Sequence, residues 1–167
     1  DSELARRRGA LIHAWLEAIE WLDDQEPSDA DLDRLAREHS GLSLDLNRLR
    51  AEFRQMLGHL TVRAALSRTS YPQDSELELW RERRFAVRDA GALVQGAFDR
   101  VVLVRKQGVL VSADIIDFKT DSLDDPAALA ERQAYYAPQL EAYRRAVAQL
   151  TGLTIERIHA RLLFVGL

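Results

Sequence analysis

The hydrophobic period of this chain changes near residue 75, and that change restricts the fold more than any other feature. Before it, apolar residues recur at helical spacing: Ile12, Trp15, Leu16, Ile19 and Leu22, and later Leu46, Leu49, Phe53, Leu57, Leu60 and Ala64. Each set forms one apolar stripe on a helix. After it, polar and apolar residues alternate through Leu77, Leu79, Phe85 and Val87, as in a half-buried strand. A chain written this way must lay helices against a sheet rather than build either alone.

The boundaries follow from local chemistry. An amphipathic helix is expected over 2–23. Pro27-Ser28 breaks it, and Ser28 can cap a short second helix reaching about Glu38. Gly41 separates that from a third helix over roughly 44–67, and Pro72 lies in the loop that follows. Strands are expected over 76–88, 93–105 and 109–119, joined at Asp89-Ala90-Gly91 and Lys106-Gln107-Gly108. Connections that tight imply an antiparallel meander. A helical run then starts near Pro126. Pro138 should interrupt it and start a new helix reaching about Leu150, ended by Gly152, before a last strand over 157–166. The expected class is α/β, a central mixed β-sheet flanked by helices with an N-terminal helical extension. Residues 1–167 read as one domain, mainly helical over 1–75 and βββαβ over 76–167. The chain begins at Asp1 and its single methionine is Met56, so it is expected to be part of a longer protein.

Composition removes several function classes. There is no cysteine, which excludes disulfides, cysteine-ligated zinc and iron–sulfur clusters. The apolar runs are too short to span a bilayer, and a cytoplasmic location is expected. The net charge of −4 argues mildly against a nucleic-acid partner, but arginines gather at 6–8, at Arg81, Arg83, Arg84 and Arg88, and at 144–145. Each cluster, taken alone, reads as a solvated face.

Four segments carry candidate chemistry. In Asp114-Ile115-Ile116-Asp117-Phe118-Lys119-Thr120 an apolar strand ends in charge. Residues two apart share a strand face, so Asp117 and Lys119 point the same way. Burying that pair is costly unless it is paired or binds an ion, and a structural salt bridge is an equally open reading. Asp99 interrupts the preceding strand, Val94 to Val102, and a meander can bring it beside Asp117. Adjacent carboxylates repel unless a cation intervenes, and Mg²⁺ commonly takes one or two carboxylates with waters. Gly96 leaves room for close approach there. Gly9, His13 and Glu17 share one helix stripe, where a histidine is more often structural. Gln139 and Tyr143, one turn apart, read blandly as a helix surface.

Taken in order, these segments resemble the RecB-type PD-(D/E)XK nucleases, most closely the C-terminal nuclease domains of AddA and RecB helicase–nucleases. The resemblance rests on the Gly9-to-His13 spacing, the Gly96-to-Asp99 strand, Asp117-x-Lys119-Thr120 and Tyr136-x-x-Gln139-Leu140-x-x-Tyr143. Trp80-Arg81-Glu82-Arg83-Arg84-Phe85 is also similar to the Glu-x-x-Phe strand of those domains. The resemblance implies a restriction-endonuclease-like core and a metal-dependent deoxyribonuclease used in recombination and repair. His13, Asp99, Asp117 and the backbone carbonyl of Phe118 would hold Mg²⁺, with Mn²⁺ as a substitute and no iron–sulfur cluster. Lys119 would act on the attacking water, and Gln139 and Tyr143 would line the site. DNA, as single strands or duplex ends, would be the substrate. A helicase motor in the same chain and a second subunit would be partners. The competing reading is a nuclease-like fold kept for DNA binding or scaffolding without catalysis.

Overall fold

The structure, a computed structural model, describes residues 2–39, 45–123 and 125–166. Gly41, the expected break between the second and third helices, lies outside the described residues. The chain divides into two compact units, Asp1–Tyr71 with Val165–Leu167, and Pro72–Phe164.

The first unit is helical: α1 (Ser2–Glu17), α2 (Asp29–His39), α3 (Leu46–Leu57) and α4 (Leu60–Ala65). Most of the stripes read from the sequence are buried, among them Ile12, Trp15, Leu16, Leu49, Phe53 and Leu57, with Leu11 and Leu32 beside them. Leu60 is 86% exposed and Ala64 is exposed, because the chain turns after Gly58 and α4 buries Val62 and Ala65 instead. Trp15 packs at a tilt against Phe53, with 5.1 Å between centroids, and its indole N–H donates to the Leu32 carbonyl at 3.0 Å. A buried indole therefore keeps its hydrogen bond. Ser28 behaves as a cap: its hydroxyl accepts the Asp31 N–H at 3.1 Å, and the Asp31 carboxylate receives the Ser28 hydroxyl at 2.8 Å.

Two expected helices are shorter than their patterns. α1 stops at Glu17, although Ile19 and Leu22 stay buried, because the Leu22 N–H donates to the Leu66 carbonyl at 2.8 Å instead of to its own helix. The expected helix over 44–67 is two helices. Gly58 caps the first, and His59 is extended at φ −67° and ψ 133°. Glycine is a poor helix former, so the chain turns there while the apolar spacing continues.

The second unit is the sheet: β1 (Glu76–Asp89), β2 (Ala92–Lys106), β3 (Val109–Lys119), α5 (Pro126–Thr151) and β4 (Ile158–Phe164). The strand order is β1-β2-β3-β4, with three antiparallel strands and β4 parallel to β3 after the α5 crossover. Both hairpins close on two residues with positive φ, Ala90 (49°) with Gly91 (83°), and Gln107 (51°) with Gly108 (78°). Such turns match the right-handed twist of paired strands and favour glycine second. One face packs Phe85, Phe98, Val101, Leu103, Ala113 and Ile115 against Ala146 and Val147 of α5. Ile116 and Phe118, on the other face of β3, are buried as well.

The expected break at Pro138 does not occur. α5 runs unbroken from Pro126, capped by Asp125 accepting the Ala128 N–H at 2.7 Å, to Gly152 at φ 78°. Proline removes one helical hydrogen bond, a local cost that the flanking turns and their packing on the sheet outweigh.

Candidate active site

β3 enters the sheet as an apolar strand and leaves it charged. Asp117 is 4% exposed, and Lys119 lies two residues on, with its ammonium 2.8 Å from Asp117 Oδ2. Asp117 Oδ2 is nevertheless buried without an aligned hydrogen bond, so the contact is ionic only. Burying that carboxylate is costly to the fold, and the Lys119 ammonium supplies the compensating charge. Asp114, the other acid of the segment, forms a 3.2 Å ion pair with Arg161 of β4 and is structural.

The ladders place Asp99 beside this pair. Pairing between β2 and β3 ends at Arg100↔Ile116, one residue short of Asp99 and Asp117. Here Asp99 Oδ2 accepts the Phe118 N–H at 2.8 Å. On the other side of β2 the pairs Arg81↔Arg100 and Arg83↔Phe98 bracket Glu82, whose φ is 43°. Glu82, Asp99 and Asp117 therefore occupy one row across three neighbouring strands, at the level where the regular ladder lapses. The Trp80-to-Phe85 segment marked that strand in the sequence, but only the register puts Glu82 on the row.

α5 supplies the remaining side chains. The Lys119 ammonium donates to Gln139 Oε1 at 3.0 Å, and Gln139 Nε2 donates to the Tyr143 hydroxyl at 3.1 Å. Tyr143 packs edge-on against Phe85 and Phe98, with centroids 5.6 and 5.4 Å away. A Cβ on Gly96 would lie 3.0 Å from the Phe85 ring and 3.5 Å from Tyr143, so the bare glycine is what seats the two rings. Burial, then the charges of Asp117 and Asp99, push the Tyr143 phenol up to about 12; the Gln139 hydrogen bond opposes this and Glu82 adds to it. Tyr143 thus stays protonated at neutral pH, and the bond from Gln139 does not use its proton.

Two contacts around Lys119 were not read as site features from the sequence. Its ammonium sits 4.1 Å from the centroid of the Tyr136 ring, and the Tyr136 hydroxyl donates to Asp121 at 3.0 Å. Burial, followed by that bond to Asp121, raises the Tyr136 phenol as well. Lys119 is therefore held by a carboxylate, an amide oxygen and an aromatic face together.

His13 belongs to the helical unit. Its Nδ1 lies 2.9 Å from the Gly9 carbonyl oxygen. A carbonyl can only accept, so Nδ1 carries a proton in this contact. His39 makes the same bond to Leu35 at 3.0 Å, so the bond alone does not set His13 apart. Among the described residues, no three His, Asp or Glu side chains are gathered as a metal cluster.

The donors that are present suit a hard cation bound through few protein oxygens: one buried carboxylate at the strand end and a second carboxylate on the adjoining strand. The helical extension, the mixed four-stranded sheet and the flanking helix correspond to the restriction-endonuclease-like core. The profile of the PD-(D/E)XK nuclease superfamily matches residues 1–167. A comparison with curated proteins found no match. An acid and a lysine two apart at the end of a core strand, a second acid on the neighbouring strand and a match over the full length agree: this chain belongs to the PD-(D/E)XK nuclease superfamily.

Proposed function

We propose that the chain is a divalent-metal-dependent deoxyribonuclease that hydrolyses phosphodiester bonds in single strands or at DNA ends. The observation that carries this reading is the buried Asp117 carboxylate, ion-paired with Lys119 and set beside Asp99 of the adjoining strand, in a member of a nuclease superfamily. Asp99, Asp117 and the Phe118 carbonyl would hold Mg²⁺ or Mn²⁺. His13 enters as a further ligand on the strength of its motif alone. When bound, the ion supplies Lewis-acid stabilisation of the charge that develops on the phosphate. Lys119, fixed on three sides, has N–H valence left to orient a water or a phosphate oxygen. Gln139 holds Lys119 by its oxygen and Tyr143 by its amide, so one side chain sets the positions of two. Tyr143, neutral at working pH, is a hydrogen-bond donor to the reacting phosphate.

The order of the motifs supports a place for the domain beside a helicase motor of the same chain, in recombination and repair in the cytoplasm, with a second subunit as a further partner. The test is cleavage of end-labelled single-stranded DNA with Mg²⁺, Mn²⁺ or EDTA. Asp117→Asn, which keeps the side-chain shape, is expected to lose on the order of a hundredfold or more in rate, roughly 2.7 kcal/mol of transition-state stabilisation. Retained cutting in both Asp117→Asn and Lys119→Met would sink the assignment.

A scaffolding reading is favoured by one observation, the lack of a gathered set of three ligands among the described residues. Calorimetry separates the two: heat of Mg²⁺ binding that disappears in Asp117→Asn belongs to the enzyme, and its absence in the wild type to the scaffold.

A further inference from the structure

The two halves of α5 differ in what they bury. Its buried residues, Ala146 and Val147, lie in the second half. In the first half every residue from Ala130 to Pro138 is exposed except Tyr136. Tyr136 ties this half to the site: its hydroxyl donates to Asp121 at 3.0 Å, and its ring centroid is 4.1 Å from the Lys119 ammonium. Tyr135 lies against that ring, edge-to-face, with 5.0 Å between centroids and 80° between planes. Among the described residues every other aromatic side chain is buried or half-buried, whereas Tyr135 is 70% exposed. An apolar side chain left open on a surface is ordinary by itself. The informative point is that the one open ring stands next to the ring that touches Lys119.

The charges around Tyr135 narrow what it can hold. Arg132, one turn earlier on α5, is half-exposed and 3.8 Å from the Asp121 carboxylate, longer than a hydrogen bond, so its guanidinium is loosely held. With Lys119 it offers cations to the phosphates on either side of a nucleotide. Glu131, also one turn before Tyr135 and exposed, opposes a phosphate on Tyr135 itself. A nucleobase is uncharged, and its π-face stacks on an aromatic ring whatever the base. The steps from the Tyr135 ring to the Tyr136 ring and on to the Lys119 ammonium, 5.0 and 4.1 Å, match the reach from a base to a phosphate of the same strand. In a duplex each base is already paired and stacked, so only an unpaired base is free to use the ring.

We propose that Tyr135 is a stacking platform for one unpaired nucleobase of the substrate strand, and that it selects single-stranded over duplex nucleic acid beside Lys119. The inference rests on the nuclease reading for the class of its ligand and deepens it by choosing the single strand. It also accounts for an acidic domain holding a polyanion, since stacking is indifferent to net charge. The bland alternative is that Tyr135 serves only to prop the Tyr136 ring against Lys119. A prop would act on every ligand of the site alike; a platform acts only on ligands that carry an unpaired base.

The test measures binding, in EDTA and in Ca²⁺, by fluorescence anisotropy of three labelled probes. These are an oligothymidylate, an abasic oligomer of the same length with the same phosphates, and a duplex hairpin. The proteins are the wild type, Tyr135→Leu, Tyr135→Trp and the control Leu150→Ala, which trims an exposed side chain at the other end of α5. Leucine is a good helix former at an exposed position, so Tyr135→Leu keeps the helix. The wild type is expected to prefer oligothymidylate over the abasic oligomer by on the order of tenfold. Tyr135→Leu should bind oligothymidylate as weakly as the abasic oligomer, with its affinity for the abasic and duplex probes unchanged. Tyr135→Trp should keep the preference and show tryptophan quenching by oligothymidylate beyond that of the wild type. Leu150→Ala should follow the wild type. The proposal is overturned if the wild type binds neither single strand or both equally, if Tyr135→Leu keeps the preference, or if Leu150→Ala loses as much. Equal losses on all three probes also overturn it and assign Tyr135 to the support of Tyr136. Failure of the nuclease reading appears separately, as cleavage that survives Asp117→Asn.

Discussion

Asp117 and Tyr143 illustrate how single residues store free energy at this site. Asp117 is charged where solvent scarcely reaches, and removing only its partner Lys119 would leave that charge uncompensated. Breaking a buried pair from one side costs about 3–5 kcal/mol. Lys119→Met is therefore expected to lower stability measurably in the absence of metal, by urea denaturation, and to recover part of the loss when Asp117→Asn is added. Tyr143 gives a pH signature. Its folded pKa, about 12, lies above the ordinary 10.0. The folded state thus keeps a proton that the unfolded chain gives up, and the stabilising contribution is complete below pH 10 and lost as the pH rises from 10 towards 12. Wild type should lose stability between pH 9.5 and 11 more steeply than Tyr143→Phe, a difference that denaturation at stepped pH would read. At the opposite end of the scale, Asp23 accepts the N–H groups of Arg68 and Thr69, each at 3.0 Å. Burial raises its pKa, but these bonds win and hold it below the ordinary value. Its contribution is present above pH 4 and lost on acidification, and Asp23→Ala should cost about 1 kcal/mol at pH 7.

Elements show where local preference yields to packing. α5 contains Pro138 and still forms a single helix of 26 residues. It must do so, because Gln139 and Tyr143 reach Lys119 and the sheet from the half that begins at the proline. Pro138→Ala restores an N–H and relieves a clash, so it should stabilise the protein by about 1–3 kcal/mol in chemical denaturation. If Pro138 contributes to the aim of Gln139, the same variant will slow cleavage as it stabilises. No gain in stability would mean that the helix is already relaxed around the ring. The hairpins are the contrary case. The turns were readable from Gly91 and Gly108, which suit the second positive φ, although Ala90 and Gln107 take the first at a local cost.

For the whole molecule, the division of labour between net charge and local charge matters most. The chain carries −4 overall, yet its site holds a row of acids and β1 exposes arginines. Bound metal should stabilise the folded state by mass action, about 2.7 kcal/mol at a free concentration one hundred times Kd. A thermal or urea shift with Mg²⁺ that disappears in Asp117→Asn would locate the ion, and an equal shift in both proteins would assign it to nonspecific binding elsewhere. Among the described residues no helix is long and apolar enough to cross a membrane.

The sequence by itself determined whatever depends on neighbours in the chain. The change of hydrophobic period set helices before strands. The turn residues placed both hairpins, and the two-residue spacing put Asp117 and Lys119 on one face, all through interactions that span a few residues. It was misled where tertiary bonds compete with local ones, at Leu22, whose N–H goes to Leu66, and at Pro138, where packing on the sheet holds the helix together. Only the tertiary structure decided that Glu82, Asp99 and Asp117 share a row, because register is set by pairing strands distant in sequence. Likewise only the return of α5 over the sheet placed the Tyr136 ring and Gln139 around Lys119. A spacing in sequence specifies which face a side chain takes; which other side chains it meets depends on how the remote elements dock.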